Sequence, residues 1–236
     1  MIEELQKMID ESESIVFFGG AGVSTASGIK DFRSQDGLFN IQYEYPPEEI
    51  LSHTFFMNNP DVFYKFYKDK MNTLDKQPNC CHKYLVKLEE NGKLKGIITQ
   101  NIDGLHTKAG SKNVCELHGT VYKNKCMECG KEYDASYVFK SKNIPRCSCS
   151  GIIKPEVVLY EEGLDNEVIN KSIELILNAD MLIVAGTSLK VYPASSYINY
   201  FRGKYLVVIN NDETYIDNFA NLVINQDINE VFKKLH

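Results

Sequence analysis

Two close pairs of cysteines carry the most specific chemistry in the sequence. Cys126 and Cys129 form a CxxC, and Cys147 and Cys149 form a CxC, one residue tighter than the usual second knuckle. Four thiolates delivered by two knuckles suit a closed tetrahedral zinc site. Because sulfur fills every position, no coordination site is left for water, and a zinc held there is structural. The alternative for the first pair, a redox-active CxxC, lacks a thioredoxin-like context. Cys80, Cys81 and Cys115 complete the seven cysteines and show no metal-type spacing.

Among five histidines, His118 stands out by its position. It follows Val114 to Leu117, an apolar run of strand length, and precedes Gly119 and Thr120. A histidine there titrates near neutrality and can take a proton from a hydroxyl as general base. His106 competes for that role, but a helix expected after Gly104 makes packing or capping its better assignment. His53, His82 and His236 have no polar cluster beside them and are assigned to structure or surface.

Other apolar runs also end in polar groups. Ile15 to Phe18 leads into Gly19, Gly20, Ala21, Gly22, Val23 and Ser24, a strand feeding a glycine turn. Gly20 and Gly22 permit a tight turn whose amides face a pyrophosphate near a helix terminus. Thr25 stands where a dinucleotide fingerprint has its third glycine, so a turn without a ligand stays open. Phe32 could cover a nicotinamide ring and Arg33 could reach a phosphate or ribose oxygen, although a core Phe and a surface Arg explain each taken singly. Leu94 to Thr99 ends in Gln100, Asn101, Ile102 and Asp103. Gln100 and Asn101 can bond ribose hydroxyls or position a water; Asp103 can accept from a carboxamide or cap a helix. Met181 to Ala185 ends in Gly186, Thr187, Ser188 and Leu189, and Tyr205 to Ile209 ends in Asn210 and Asn211. These ends suit an adenosine ribose and phosphate, with turn capping the alternative for Thr187 and Ser188. Lys154 to Gly163 reads as an extended segment able to pair with a peptide by strand addition.

Such residues must be gathered by a frame. Strand-length apolar runs alternate with helix-length amphipathic segments, which predicts a parallel sheet covered by helices, an α/β fold. Strands are expected at Ile15 to Phe18, Leu94 to Thr99, Val114 to Leu117, Val157 to Leu159, Met181 to Ala185 and Tyr205 to Ile209. Helices are expected at Ile2 to Asp10, Cys81 to Asn91, Asn166 to Leu177, Pro193 to Tyr200 and Asn229 to Lys234. Two stretches break the alternation. Ser34 to Gln77 is rich in aromatics and prolines, with a helical pattern at Asp61 to Met71, and reads as an insertion. Tyr122 to Pro155 holds the paired cysteines and reads as a metal-stapled module, too short to fold alone.

The 236 residues suffice for one full-sized core with a small appended module. A net charge of −6 gives no field to attract a phosphate backbone, so direct nucleic-acid binding is disfavoured. No apolar run approaches the roughly 20 residues a membrane helix needs. The start of the chain lacks the features of a secretory signal, and the cytoplasm is the expected compartment. The sequence leaves the oligomeric state undetermined.

Taken in order, GGAGVSTASGIKDFRS, TQNIDGLH, ELHGT, the two cysteine knuckles, KPEVVLYEE, GTSLKVYPA and VVINNDET resemble the successive motifs of the sirtuin family, in its bacterial form. The resemblance runs from Phe18 to about Ile228. It implies a Rossmann-type NAD-binding domain over residues 1–33, 76–120 and 156–236. The small domain would combine a helical insertion, 34–75, with a zinc-ribbon module, 121–155. It also implies that NAD is a consumed cosubstrate and that an acyl-lysine protein or peptide binds in the cleft between the domains. Ala21, Thr25, Phe32, Arg33, Gln100, Ile102, Asp103, Thr187, Ser188, Asn210 and Ile228 would form the NAD pocket, with Gly20 in its turn. His118 would be the catalytic base, with Asn101 beside it. Val157, Val158 and the loop from Leu189 to Tyr192 would sandwich the peptide. The implied reaction transfers the acyl group from lysine to ADP-ribose, releasing nicotinamide and O-acyl-ADP-ribose. Family members that prefer acidic acyl groups carry a Tyr and an Arg three residues apart in the insertion; Tyr67 and Lys70 stand there, which points to acetyl or another neutral acyl group. A mono-ADP-ribosyltransferase and a non-catalytic NAD-binding module are the competing readings.

Overall fold

The computed structural model describes residues 1–31 and 44–236. Its larger sheet is built from β1 (Ile15–Gly19), β2 (Leu94–Thr99), β3 (Val114–Glu116), β7 (Met181–Ala185), β8 (Tyr205–Ile209) and β9 (Leu222–Ile224). The six strands run in the order β3-β2-β1-β7-β8-β9, and every pairing is parallel. β1 and β7 are buried at every residue, as strands covered on both faces must be. The chain reverses its direction of winding between β1 and β7, which opens a crevice at the carboxyl ends of the strands.

Helices cover both faces. On one, α1 (Ile2–Glu11), α5 (Cys80–Glu90) and α9 (Ile228–Phe232) bury Leu5, Ile9, Leu85 and Phe232 against Phe17, Ile97 and Ile183. On the other, α8 (Asn166–Leu177) and a 3-10 turn, Ala194–Tyr200, bury Ile176 and Ile198 against Val16, Ile98 and Val184. Asp165 starts α8, its Oδ1 accepting from the amides of Glu167 and Val168 at 2.8 and 3.0 Å. The segment expected as a helix at Pro193 to Tyr200 is thus a 3-10 turn.

A second, antiparallel sheet joins β5 (Glu132–Asp134), β4 (Gly119–Cys126) and β6 (Ile153–Val157) in the order β5-β4-β6. Here the structure corrects the sequence reading. The strand expected at Val157 to Leu159 lies earlier and belongs to this sheet; Ile153, Pro155 and Val157 face inward alternately with Lys154 and Glu156, the period-2 pattern of a half-buried strand. The second sheet shares a core with α2 (Pro47–Ile50), α3 (His53–Asn58), α4 (Pro60–Lys70) and α7 (Ala135–Lys140). Aromatic rings dominate that core. Tyr67 stacks between Phe63 and Phe139, at centroid distances of 5.5 and 5.4 Å. The cysteine segment therefore borrows its apolar interior from the aromatic insertion. Among the described residues, no helix is long and apolar enough to cross a membrane.

Candidate active site

The carboxyl ends of the parallel strands open onto a cavity of about 480 Å³, closed from the other side by α4 and the end of β6. Ala21, Thr25, Gln100, Asn101, Ile102, Asp103, His118, Thr187, Ser188, Asn210 and Ile228 all line it, as do Tyr67, Val157 and Val158. Two expected residues are placed elsewhere. Leu189 points into the core beneath the sheet at 2% exposure, and its neighbours Lys190, Val191 and Tyr192 line the cavity instead. Gly20 precedes the lining residues Ala21 and Gly22 and is not one of them. Phe32 and Arg33 fall outside the described residues.

The glycine turn is shaped by packing. A Cβ on Gly20 would sit 2.7 Å from the Gly186 carbonyl oxygen, and one on Gly22 would sit 2.7 Å from the Gly186 Cα. The turns after β1 and β7 interlock backbone to backbone, which only glycine permits. The Gly20 amide donates to Ala185 O at 3.1 Å and the Gly22 amide to Gly186 O at 2.8 Å. These two amides are spent on the end of β7 and the turn that follows it.

Beyond the turn, a buried relay ties β1 to β2. Asn101 Nδ2 donates to Ser24 Oγ at 3.1 Å, and Ser24 Oγ donates to Asp103 Oδ2 at 2.6 Å. Asp103 Oδ1 accepts from the Leu105 amide at 2.9 Å and so opens α6 (Leu105–Ala109). Gly104 is the N-cap of that helix, and Asp103, one residue before it, lines the cavity. Burial pushes its carboxyl pKa up, against the pull of the Ser24 and Leu105 bonds. Ser24, buried in the middle of this relay, was missed in the sequence because a serine after a glycine turn carries no signal of its own. Next to it, Thr187 Oγ1 donates to Gln100 Oε1 at 2.8 Å, joining the ends of β7 and β2. Gln100 Nε2 is buried and has no hydrogen-bond partner among the described residues, leaving donors for a ligand.

His118 sits between the two sheets. Gly119 follows with φ +73°, and a Cβ there would lie 2.0 Å from the Glu156 carbonyl oxygen, so the chain turns into β4 only through glycine. His118 Nδ1 lies 2.9 Å from the Gln100 carbonyl oxygen, which can only accept. The ring is therefore the Nδ1–H tautomer, with Nε2 left to take a proton. Burial lowers its pKa and outweighs the raising effect of the Gln100 bond, so the ring is neutral at pH 7. His118 O also accepts from the Val158 amide at 2.8 Å, tying the base to the extended segment. His106 takes no part; it is buried against His82 at a centroid distance of 4.6 Å.

The four clustered cysteines lie outside the cavity. Their sulfurs all fall within 4.8 Å of one another, with contacts of 3.4 to 3.5 Å, against edges of about 3.8 Å for a tetrahedron of zinc–sulfur bonds. The Cys149 amide pulls the Cys147 thiol down to about 5, helped by the Tyr133 hydroxyl at 3.0 Å. For Cys149 the Gly151 amide pulls downward, but the three neighbouring sulfurs push the thiol up to about 12. Four thiolates this close call for a divalent cation between them, and the set fits one zinc ion.

The model of the Sir2 family matches residues 20–193. The chain belongs to the Sir2 family. It is 56% identical to an NAD-dependent protein deacetylase of Clostridium acetobutylicum, over 98% of this chain and 96% of that one. A protein of the same description from Staphylococcus aureus is 44% identical over 99% and 97% of the two chains. Among solved structures, a Sir2 protein with a deacetylated p53 peptide and 3'-O-acetyl ADP ribose superposes with a TM-score of 0.91 at 36% identity, covering 99% of this chain and 96% of that one. A Sir2 complex with a p53 peptide and NAD+ gives 0.88 at 37% identity over 99% and 96%. The α/β fold with its parallel Rossmann-type sheet, antiparallel small sheet and cysteine cluster is the fold of this family.

Proposed function

We propose that this protein is an NAD-dependent protein lysine deacylase that transfers the acyl group of an acyl-lysine peptide to ADP-ribose. One observation carries the reading. A neutral histidine with a free Nε2 faces the same cavity as the glycine turn, the Gln100 to Asp103 relay and the extended segment at Val157 and Val158. The similar Sir2 structures, with NAD+ and with acetyl ADP ribose, support it.

When NAD is bound, loss of nicotinamide leaves an electrophilic ribose carbon for the acyl oxygen. The protein's own residues do the rest. His118 takes a proton from a ribose hydroxyl so that it can attack the acyl carbon. Gln100 and Asn101 hold the ribose, and Asp103 keeps Ser24 and α6 in register behind it. Ala21, Thr25, Thr187, Ser188, Asn210 and Ile228 contact the dinucleotide, with Gly20 setting the turn. Val157, Val158 and the Leu189 to Tyr192 loop flank the peptide backbone, and Tyr67 receives the acyl chain. We assign the NAD-binding domain to 1–33, 76–120 and 156–236, and the small domain to 34–75 and 121–155. The zinc is structural, and the expected compartment is the cytoplasm.

The test is a panel of acetyl-, succinyl-, myristoyl- and lipoyl-lysine peptides with NAD, followed by mass. Deacylated acetyl peptide is expected. His118→Ala should abolish turnover with NAD binding retained. No product from any peptide would sink the reading, and nicotinamide release without an acyl peptide would favour ADP-ribosyl transfer.

A further inference from the structure

The segment assigned to peptide pairing is held in place by two adjacent carboxylates that the chemistry itself does not use. Past β6, the chain bonds to the helical insertion: the Tyr160 amide donates to Leu51 O and the His53 amide to Tyr160 O, both at 3.0 Å. Glu161 follows with φ +76°, a left-handed conformation that a residue with a Cβ rarely adopts. Its Oε2 accepts from the Thr54 amide in the first turn of α3, at 2.9 Å.

Glu162 gathers more partners. Its Oε1 pairs with His53 Nδ1 at 2.8 Å, while Oε2 accepts from the Leu159 amide at 2.9 Å and from Lys154 Nζ at 3.1 Å. Lys154 and Glu162 side chains are only 21% and 22% exposed, so this pair is better shielded than an ordinary surface ion pair. Burial pushes the Glu162 carboxyl up, but His53, the Leu159 amide and Lys154 outweigh it and keep it ionised. One carboxylate thus binds the extended segment, the strand that precedes it and the insertion.

We propose that Glu162, with Glu161 on the same turn, is a positioning residue for the substrate: it fixes the distance between the segment that pairs with the peptide backbone and the insertion that receives the acyl chain. The proposal rests on the deacylase reading. The peptide backbone would lie along Val157 to Leu159, and its acyl chain would reach Tyr67 on α4, so the two supports must not slide apart. A displacement of about an ångström between them misplaces the acyl carbonyl. Because the Val158 amide also holds His118 O, the same clasp keeps the base in register with the peptide.

The test compares Glu162→Ala and Glu162→Gln in the full chain with zinc bound, by amide hydrogen exchange and by steady-state kinetics with an acetyl-lysine peptide. In Glu162→Ala, exchange at His53, Leu159 and Tyr160 should rise, and the peptide KM should rise about fivefold with the NAD KM within about twofold of wild type. Glu162→Gln should fall between, since its amide oxygen still accepts from the Leu159 amide; it also decides the question if the alanine variant does not fold. Unchanged exchange, an unchanged peptide KM, or peptide and NAD KM rising together would overturn the proposal. Wild-type protein inert toward every acyl-lysine peptide would instead defeat the deacylase reading, and the exchange arm would then report on the clasp alone.

Discussion

His118 and the bond from its ring to the Gln100 carbonyl decide most of what the site can do. Burial holds its pKa below the ordinary 6.5, so the free base is present at neutral pH and is lost only as the pH falls further. The kcat/KM profile should stay flat through pH 7 and drop on an acid limb centred below 6.5; a limb at or above 7 would contradict the assignment. The acyl pocket gives a second expectation. Lys70 lines the cavity one helical turn from Tyr67, a point charge where a guanidinium would grip a carboxylate with two bonds. Lys70→Arg should raise kcat/KM for a succinyl peptide about tenfold over wild type, measured against the acetyl peptide. His118 was legible in the sequence because it ends a strand-length apolar run. Asp103 was less so, since a helix cap and a cavity-lining acid look alike on paper; in the structure Gly104 is the N-cap and Asp103 lines the cavity.

At the scale of elements, the interlocked turns after β1 and β7 hold the two halves of the parallel sheet together where the crevice opens. Gly22→Ala would force a Cβ to 2.7 Å from the Gly186 Cα, backbone that cannot rotate away. Loss of about 2 kcal/mol and a weaker NAD affinity are expected, checked by urea denaturation and by titration with NAD. The glycines were conspicuous in the sequence, but their reason was not, because the partner turn lies far along the chain. Long apolar strands were placed to the residue: Leu94–Thr99, Met181–Ala185 and Tyr205–Ile209. β9 has three residues, too few to show a pattern, and β6 hides its alternation behind Lys154, Pro155 and Glu156. The strands of the cysteine segment escaped notice because their apolar partners sit on α4, in another part of the sequence.

For the whole molecule, stability divides between the two faces of the parallel sheet and the aromatic core beside the smaller sheet, which includes Cys126 and Cys147. A strong chelator should release one zinc per chain, expose the four clustered thiols and abolish peptide-dependent turnover, while far-UV circular dichroism retains the signal of the larger domain. The buried His82 and His106 pair sets an acid limit. Burial lowers His82 from 6.5 to about 4 and holds His106 well below its ordinary value. Between those limits the unfolded chain binds protons that the folded one refuses, so stability is complete above 6.5 and falls as the pH drops toward 4. His82 alone should remove about 2 kcal/mol by pH 5, read as a lower urea midpoint at unchanged slope. Acyl transfer to ADP-ribose has a stoichiometry that no other fate of NAD shares. With NAD and an acetyl-lysine peptide, nicotinamide, free-lysine peptide and O-acetyl-ADP-ribose should form in equal amounts, and none should form without the peptide. Nicotinamide released in its absence, or acetate in place of the ribose ester, would contradict the account.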